Sequence, residues 1–159
     1  MRNGFITAVT CSLLLSWPSI GGEENGTAAK QFTQYRAELV NVSSDLITIA
    51  KSLKGLDSDI AQDLIDVADV GCAELDNISD LLTIKDLVLG REDRERILPL
   101  IASRIDFVSK KIPNSVDRVN LSISYTHHQG VILSASQIRD TLRKANDLLT
   151  RASTLGIDE

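Results

Sequence analysis

Apolar residues recur at helical spacing along nearly the whole chain after residue 27. In the first predicted helix, residues 28–54, they step alternately by three and four positions, at Phe32, Tyr35, Leu39, Val42, Leu46, Ile49 and Leu53. This alternation places the side chains on one face of an α-helix as a heptad seam. Because such a seam must be buried against other helices and no segment alternates like a strand, the chain is predicted to be all-α.

Three later segments repeat the pattern, at residues 58–89, 92–126 and 131–156. Their inward-facing residues are predicted to be Ile60, Leu64, Val67, Leu75, Ile78 and Leu82, then Ile97, Ile101, Ile105, Val108, Ile112, Val116, Val119 and Ile123, and finally Val131, Ala135, Ile138, Leu142, Ala145, Leu149 and Ala152. Helices of this length at about 1.5 Å per residue would form a rod-like domain.

Short turns containing glycine separate the four segments. Gly55 and Gly90 follow the first two helices, and a turn at residues 127–130 follows the third. Short connections favour antiparallel neighbours. Residues 28–156 are therefore predicted to form a single domain, an antiparallel up-down four-helix bundle, with residues 157–159 as a C-terminal tail.

The start of the fourth helix has two interpretations. The apolar stripe begins at Val131, but Ser134 and Gln137 have the spacing of a capping box, with Leu133 and Ile138 as its hydrophobic staple. The helix would then begin at Ser134.

Two prolines and one glycine interrupt the regular pattern. Pro99 and Pro113 lie in the third segment, where each removes a backbone donor and crowds the preceding turn. They predict either a kinked helix or two shorter helices in line, and the unbroken apolar stripe favours one helix. Gly71 lies on the inward face of the second segment, which indicates either a close approach of helices or a local break.

Residues 1–21 have the features of a signal peptide. Arg2 supplies a positive charge, residues 5–17 form an uncharged apolar run, and small residues suit cleavage before Gly22. The run is shorter than the roughly 20 residues that a membrane helix needs. We therefore predict export to the periplasm, the cell surface or the exterior, with no membrane span after cleavage. An uncleaved anchor is the alternative, and residues 22–27 are predicted to be a short polar lead-in.

Cleavage of the leader would leave Cys72 as the only cysteine, because Cys11 lies within the leader. An internal disulfide is then excluded. Cys72 follows Ile65 and Ala68 at helical spacing, and free cysteine is among the most buried residue types. Cys72 is therefore predicted to be a core residue, with a reactive thiol or an interchain disulfide as the alternative.

The second segment is strongly acidic. Residues 57–89 contain nine acidic residues and one lysine, a net charge of -8, whereas the other segments are weakly positive. The simplest interpretation is an acidic helix between basic neighbours, with candidate partners Arg104, Arg118, Arg139 and Arg143. The functional alternative is a docking face for a cationic partner at Asp59, Asp63 and Asp66, which supply too few oxygens for a calcium site.

Composition disfavours several classes of partner. The net charge of -5 and the pI of about 5.0 provide no broad positive field for nucleic acid or anionic membranes. Aromatic residues make up 4% of the chain, which leaves little for base stacking.

No familiar catalytic or cofactor motif occurs. The chain lacks HExxH, a P-loop, GxGxxG and GxSxG. His127 and His128 are the strongest candidates for metal ligands, but neither follows the Glu-x-x-His pattern of di-metal bundles, and turn histidines are usually solvated. We therefore predict no enzymatic activity, no catalytic site, no cofactor and no resident metal.

Two functions are compatible with these features. The first is an exported, non-catalytic protein that acts by binding another protein or by self-association through its heptad seams. The second is a carrier or sensor that holds a small apolar ligand between helices, where bundles often build pockets. Gly71 opposite Ala135, Ala145 and Ala152 would either permit close packing or leave such a pocket.

Four Asn-x-Ser/Thr sequons, at Asn25, Asn41, Asn77 and Asn120, would carry glycans if the source glycosylates its exported proteins.

Overall fold

The structure, a computed structural model, describes the backbone of residues 23–56, 58–87 and 90–154 and the side chains of these ranges other than 23–32, 91, 94, 153 and 154. Four helices account for nearly all of this: α1 (Glu23–Leu53), α2 (Asp59–Leu87), α3 (Arg91–Tyr125) and α4 (Gln129–Thr154). No strand occurs within these ranges.

Each helix packs along the next helix in the chain, and α4 packs back against α1. The connections are only a few residues long, so consecutive helices must run antiparallel to make these contacts. Across the diagonals, α2 contacts α4, whereas α1 and α3 do not meet in the part of the chain that is described. The predicted all-α, antiparallel up-down four-helix bundle is confirmed.

The heptad seams of the four helices meet in one continuous core. Every inward residue predicted for α4 is buried, and most of those predicted for the other helices are buried as well. Each fully buried Leu or Ile contributes about 1.5–3 kcal/mol relative to an exposed one, so these seams hold the bundle together. Seam residues that pack on this core while partly exposed are Ile49, Ile60, Ile97, Val116 and Ile123. The side chain of Phe32 lies outside the described residues.

Gly71 marks a close approach between helices, not a break in α2. A Cβ atom at this position would lie 3.1 Å from Leu142 Cδ2 of α4 and 3.2 Å from Leu46 Cδ1 of α1. The missing side chain therefore lets α2 and α4 contact each other across the diagonal of the bundle.

Helix α3 runs without interruption from Arg91 to Tyr125 and contains both prolines. This confirms the prediction of one helix. Each proline lacks the amide that would bond to the backbone carbonyl one turn earlier in the helix. Because Pro99 and Pro113 are exposed, water can hydrate that carbonyl instead.

Helix α4 begins at Gln129, so the alternative start at Ser134 is wrong. Ser134 is buried within the helix, and its hydroxyl lies 3.3 Å from the hydroxyl of Ser52 on α1. A contact with the neighbouring helix therefore explains this serine, and the capping-box spacing is coincidental.

His128 acts at the actual N-terminus of α4. Its carbonyl accepts the Ile132 amide at 3.0 Å, and its ring Nδ1 accepts the Val131 amide at 3.4 Å. The histidine thus satisfies one of the amides that the first turn of a helix leaves without a partner.

Helix α1 begins at Glu23, so most of the segment predicted as a polar lead-in, residues 22–27, is helical. The segment contains no proline, and acidic residues near a helix N-terminus interact favourably with the helix dipole. The predicted leader, residues 1–21, its cleavage site before Gly22 and the predicted tail, residues 157–159, lie outside the described residues.

Candidate functional site

Acidic residues of α2 that face α3 are paired with basic residues of that helix. Asp63 accepts a hydrogen bond from Arg118. Glu74, whose side chain is 15% exposed, contacts both Arg104 and Lys111, with the Lys111 Nζ 3.5 Å from its Oε1. The expectation that the acidic helix lies beside basic partners is confirmed at these positions.

Two other arginines expected to face α2 make a different pairing. Arg139 and Arg143 contact Asp140 on their own helix, at 3.1 and 3.8 Å. Because α4 lies diagonally across the bundle from α2, buried apolar side chains such as Leu142 occupy that contact. The expectation for Arg139 and Arg143 is therefore wrong.

Acidic charge on the α1 side of α2 is also paired with a basic residue. Arg36 of α1 lies 3.6 Å from Asp86 and donates a hydrogen bond of 3.3 Å to Thr83. Both flanks of α2 thus use charge to hold neighbouring helices.

The solvent side of α2 carries a second line of residues at heptad spacing. Its members step by three, four, three, four and three positions, and all are exposed. We call this line the outer seam, and it consists of Val70, Ala73, Asn77, Asp80, Ile84 and Leu87. Val70 is 55% exposed, Ile84 47% and Leu87 73%, so both ends of the outer seam present apolar side chains to solvent.

Carboxylates surround the outer seam. Asp59, Asp66, Asp69 and Asp80 are exposed, and none of them forms an ion pair with a residue in the described ranges. Asp66 lies close enough to Arg118 to help raise the pKa of that guanidinium, although the two groups are beyond ion-pair distance. The outward side of α2 therefore combines exposed apolar groups with carboxylates that form no ion pair in the described ranges.

The predicted docking face divides between these two sides of the helix. Asp59 and Asp66 point outward, and Asp66 accepts a hydrogen bond of 2.8 Å from Gln62. Asp63 faces α3, where Arg118 and the Ser122 hydroxyl hold it. Asp66 therefore lies one turn before the outer seam, Asp59 lies about three turns before it, and Asp63 serves helix packing.

Cys72 lies buried at the α1–α2 interface with Ser43 and Asp76. The Ser43 hydroxyl lies 2.9 Å from the Cys72 sulfur and donates to Asp76 Oδ1 at 2.7 Å, and the thiol donates to Asp76 Oδ2 at 3.4 Å. Burial raises the pKa of the Cys72 thiol; the Ser43 hydrogen bond opposes this shift, and Asp76 adds to it. A protonated, buried thiol is a poor nucleophile, which favours the core interpretation over a reactive thiol.

His127 and His128 lie in the α3–α4 connection at one end of the bundle, and both are exposed. Neither joins the group around Cys72, which therefore has no histidine to act as a general base. Among the side chains that the structure describes, no three His, Cys, Asp or Glu groups converge as metal ligands do.

Three spaces between helices, all lined by described residues, are small or open to solvent. The cavity beside Gly71 has a volume of about 30 Å³, which suits a single water molecule. A groove of about 220 Å³ runs along Pro113 and Asn146 between α3 and α4. A groove of about 450 Å³ between α1 and α4 is shallow and lined largely by polar residues such as Gln137 and Lys144.

Helix α3 has an exposed apolar line of its own, at Leu100, Phe107 and Leu121. The Phe107 ring is partly covered, because Arg104 lies 5.2 Å and Lys111 4.2 Å from its centroid. Cation–π contacts of this kind stabilise the surface of the same chain. The ring at the centre of this line is therefore in contact with basic side chains of its own helix, whereas Leu100 and Leu121 remain exposed.

Comparison with known protein families, with curated proteins and with solved structures gave no match to this chain. Within the described part of the chain, no helix is long and apolar enough to cross a membrane.

The outer seam was missed in the sequence because the inward stripe of α2 dominates its pattern. A second three-four spacing, from Val70 through Ala73 to Ile84 and Leu87, is nevertheless visible in the sequence. Two of its positions are polar, Asn77 and Asp80, which weakens the signal. The group formed by Ser43, Cys72 and Asp76 has no sequence signal, since its members come from two helices.

Proposed function

We propose that this chain is an exported, non-catalytic protein that acts by binding another protein through the outward side of α2. The observation that carries the proposal is the outer seam, where exposed apolar residues lie among carboxylates that have no ion-pair partner in the described chain. Exposed apolar groups bordered by polar residues often mark interaction sites, and the outer seam places Val70, Ile84 and Leu87 in this setting along one helix face.

The alternative, a carrier of a small apolar ligand, has weaker support. Ligand pockets commonly have volumes of about 300–1,000 Å³ and enclose most of the ligand. The space beside Gly71 is about 30 Å³, and the larger grooves are open to solvent. Gly71 therefore serves helix packing better than ligand binding.

Site-specific crosslinking tests the interaction. A photoreactive amino acid is placed at Ala73 in the outer seam, and the matched control carries it at Gln137, an exposed residue on α4. Irradiation of the protein in cells of its source should give a discrete product of higher mass from Ala73 and none from Gln137. A product of twice the protein mass would identify a second copy as the partner.

Competition shows whether the crosslink at Ala73 is specific. Excess unlabelled protein should abolish the Ala73 product, because a specific surface is saturable. No product from either position, or equal products from both, would contradict a binding face on α2.

Export is tested by the intact mass of the protein purified from the exported fraction. Loss of residues 1–21 is expected, and the same mass measurement shows any glycan or Cys72-linked dimer. A full-length mass in the cytoplasmic fraction would contradict export.

A further inference from the structure

The outer seam has the dimensions of a helix-binding surface. Its apolar ends, Val70 and Leu87, are separated by about 25 Å along the axis at 1.5 Å per residue, which matches about five helical turns. The three-four spacing is the one by which two helices interlock side chains in coiled coils and bundles. A fifth helix lying along α2 would bury these residues as the inward stripe of α2 is already buried.

The charges around the outer seam restrict which helix can lie there. Asp69 and Asp76 flank it, Asp66 lies one turn before Val70 in line with it, Asp80 lies within it, and all are exposed. The charges of residues that flank a heptad seam determine which helices can bind to it. The carboxylates of α2 would therefore attract lysine or arginine beside the seam of the incoming helix and would repel acidic residues.

A second copy pairing through the same face is disfavoured by these charges. Two outer seams facing each other would bring the carboxylates of both copies together, and like charges across an interface are unfavourable. Anionic lipid surfaces are repelled for the same reason.

We infer that the outer seam is the docking site for a cationic amphipathic helix of a partner protein. This inference rests on the proposed function and specifies the chemistry of the partner. The middle of the seam, Asn77 and Asp80, is polar, so the partner helix is apolar at its ends and carries a polar or basic residue at its centre. A polar position of this kind sets the register between two helices.

Binding of designed peptides to the full mature chain tests the inference. The probe is a helical peptide of about 18 residues with leucine at the ends of its seam and lysine beside it, and the control peptide has glutamate in place of each lysine. The chain is produced in a host that does not glycosylate, because a glycan on Asn77 would cover the middle of the seam. The lysine peptide should bind, with an affinity that falls as salt is raised, and the glutamate peptide should not.

Variants of the chain locate the binding. The first variant combines Asp66→Asn, Asp69→Asn and Asp80→Asn. It should raise the Kd of the lysine peptide by about tenfold or more. Ser in place of Val70 and Ile84 should weaken binding to a similar extent, because it removes the apolar part of the surface. The matched control, Asp106→Asn with Asp117→Asn on the exposed side of α3, should leave the Kd unchanged. Circular dichroism and thermal unfolding establish that each variant is folded.

Several results would overturn the inference. These are equal binding of the two peptides, no binding of the lysine peptide, or binding that the α2 and α3 variants weaken equally. Failure of the inference is distinguishable from failure of the proposed function by mapping the Ala73 crosslink on the partner. A crosslinked segment that is neither basic nor amphipathic would exclude the cationic helix while leaving α2 as the binding face, whereas the absence of any crosslink would exclude both.

Discussion

At the scale of single residues, several polar side chains are buried in the otherwise apolar core of the bundle. Ser43, Ser122 and Ser134 are buried, and the hydroxyl of each has a hydrogen-bond partner on the same or a neighbouring helix. Tyr35 differs, because its buried hydroxyl has no hydrogen-bond partner among the described residues. An unsatisfied buried hydroxyl reduces stability.

Replacing Tyr35 with Phe should therefore leave the free energy of unfolding unchanged or raise it by up to about 1 kcal/mol. The ring stays in place and only the unpaired oxygen is removed. Urea denaturation at neutral pH measures the change, and Ser43→Ala, which removes a bonded hydroxyl, is the control that should lower stability. A loss of more than about 1 kcal/mol for Tyr35→Phe would show that the hydroxyl has a stabilising partner.

Stability should also fall at alkaline pH. Burial raises the pKa of Cys72 and of Tyr35 in the folded state above their ordinary values of 9.0 and 10.0. As pH rises, the unfolded chain therefore loses these protons before the folded chain does. The contribution of the two groups to the free energy of unfolding is fully present below their ordinary pKa values, and it is lost as pH rises toward their folded-state pKa values. Denaturation at a series of alkaline pH values measures the slope, which should be shallower in Tyr35→Phe. An identical slope in the variant and the wild type would contradict a raised pKa at Tyr35.

At the scale of the helix, the faces of α2 differ in the groups that they contact. Its inward side is apolar and contains Gly71, which packs closely against Leu46 of α1 and Leu142 of α4. Its flanks pair with Arg36, Arg104 and Arg118 of the adjacent helices. Its outward side keeps both apolar and charged groups in solvent, which neither packing nor neutralisation requires.

The close approach at Gly71 predicts a strong dependence on side-chain size. Gly71→Ala should change the free energy of unfolding by no more than about 1 kcal/mol, because alanine favours the helix by about that amount while its methyl group crowds Leu142 and Leu46. Gly71→Leu should cost about 1–3 kcal/mol by overpacking. Chemical denaturation of both variants measures this, and a leucine variant as stable as the wild type would contradict close packing at Gly71.

At the scale of the whole molecule, the bundle consists of two helical hairpins, α1–α2 and α3–α4, which meet along two lines. The α2–α3 line contains the ion pairs of Asp63 and Glu74, whereas the α1–α4 line contains the contact between Ser52 and Ser134. Among the described side chains, the ion pairs that join the two hairpins lie on the α2–α3 side. Glu74 is the more enclosed of the two acids on that side.

Glu74→Gln should lower the free energy of unfolding by about 1–3 kcal/mol, because it leaves the half-buried Arg104 without its charge partner. Asp63→Asn should cost less, about 1 kcal/mol or below, since Arg118 is 54% exposed. The matched control is Asp106→Asn, which removes an exposed pair with Lys110 on one helix and should have little effect. Equal losses for Glu74→Gln and Asp106→Asn would show that the α2–α3 pairs do not join the hairpins.

The period of the apolar residues was sufficient to predict four helices, most of the core and the antiparallel order of neighbouring helices. The seam through Leu39, Leu46 and Leu53 allows one buried face, and the short turns leave consecutive helices little choice but to run antiparallel. The continuity of α3 through Pro113 followed from the same period.

The contacts of the polar residues could not be predicted in this way, because they depend on which side chains of other helices lie within reach. Asp63 and Asp66 are three residues apart and similar in sequence context, yet Asp63 meets Arg118 while Asp66 remains in solvent. The same holds for Arg104 and Arg139, one of which crosses to α2 while the other pairs within α4. The same limit applies to the outer seam as a candidate binding surface. Its spacing can be read from the sequence, but its exposure depends on where the other three helices lie.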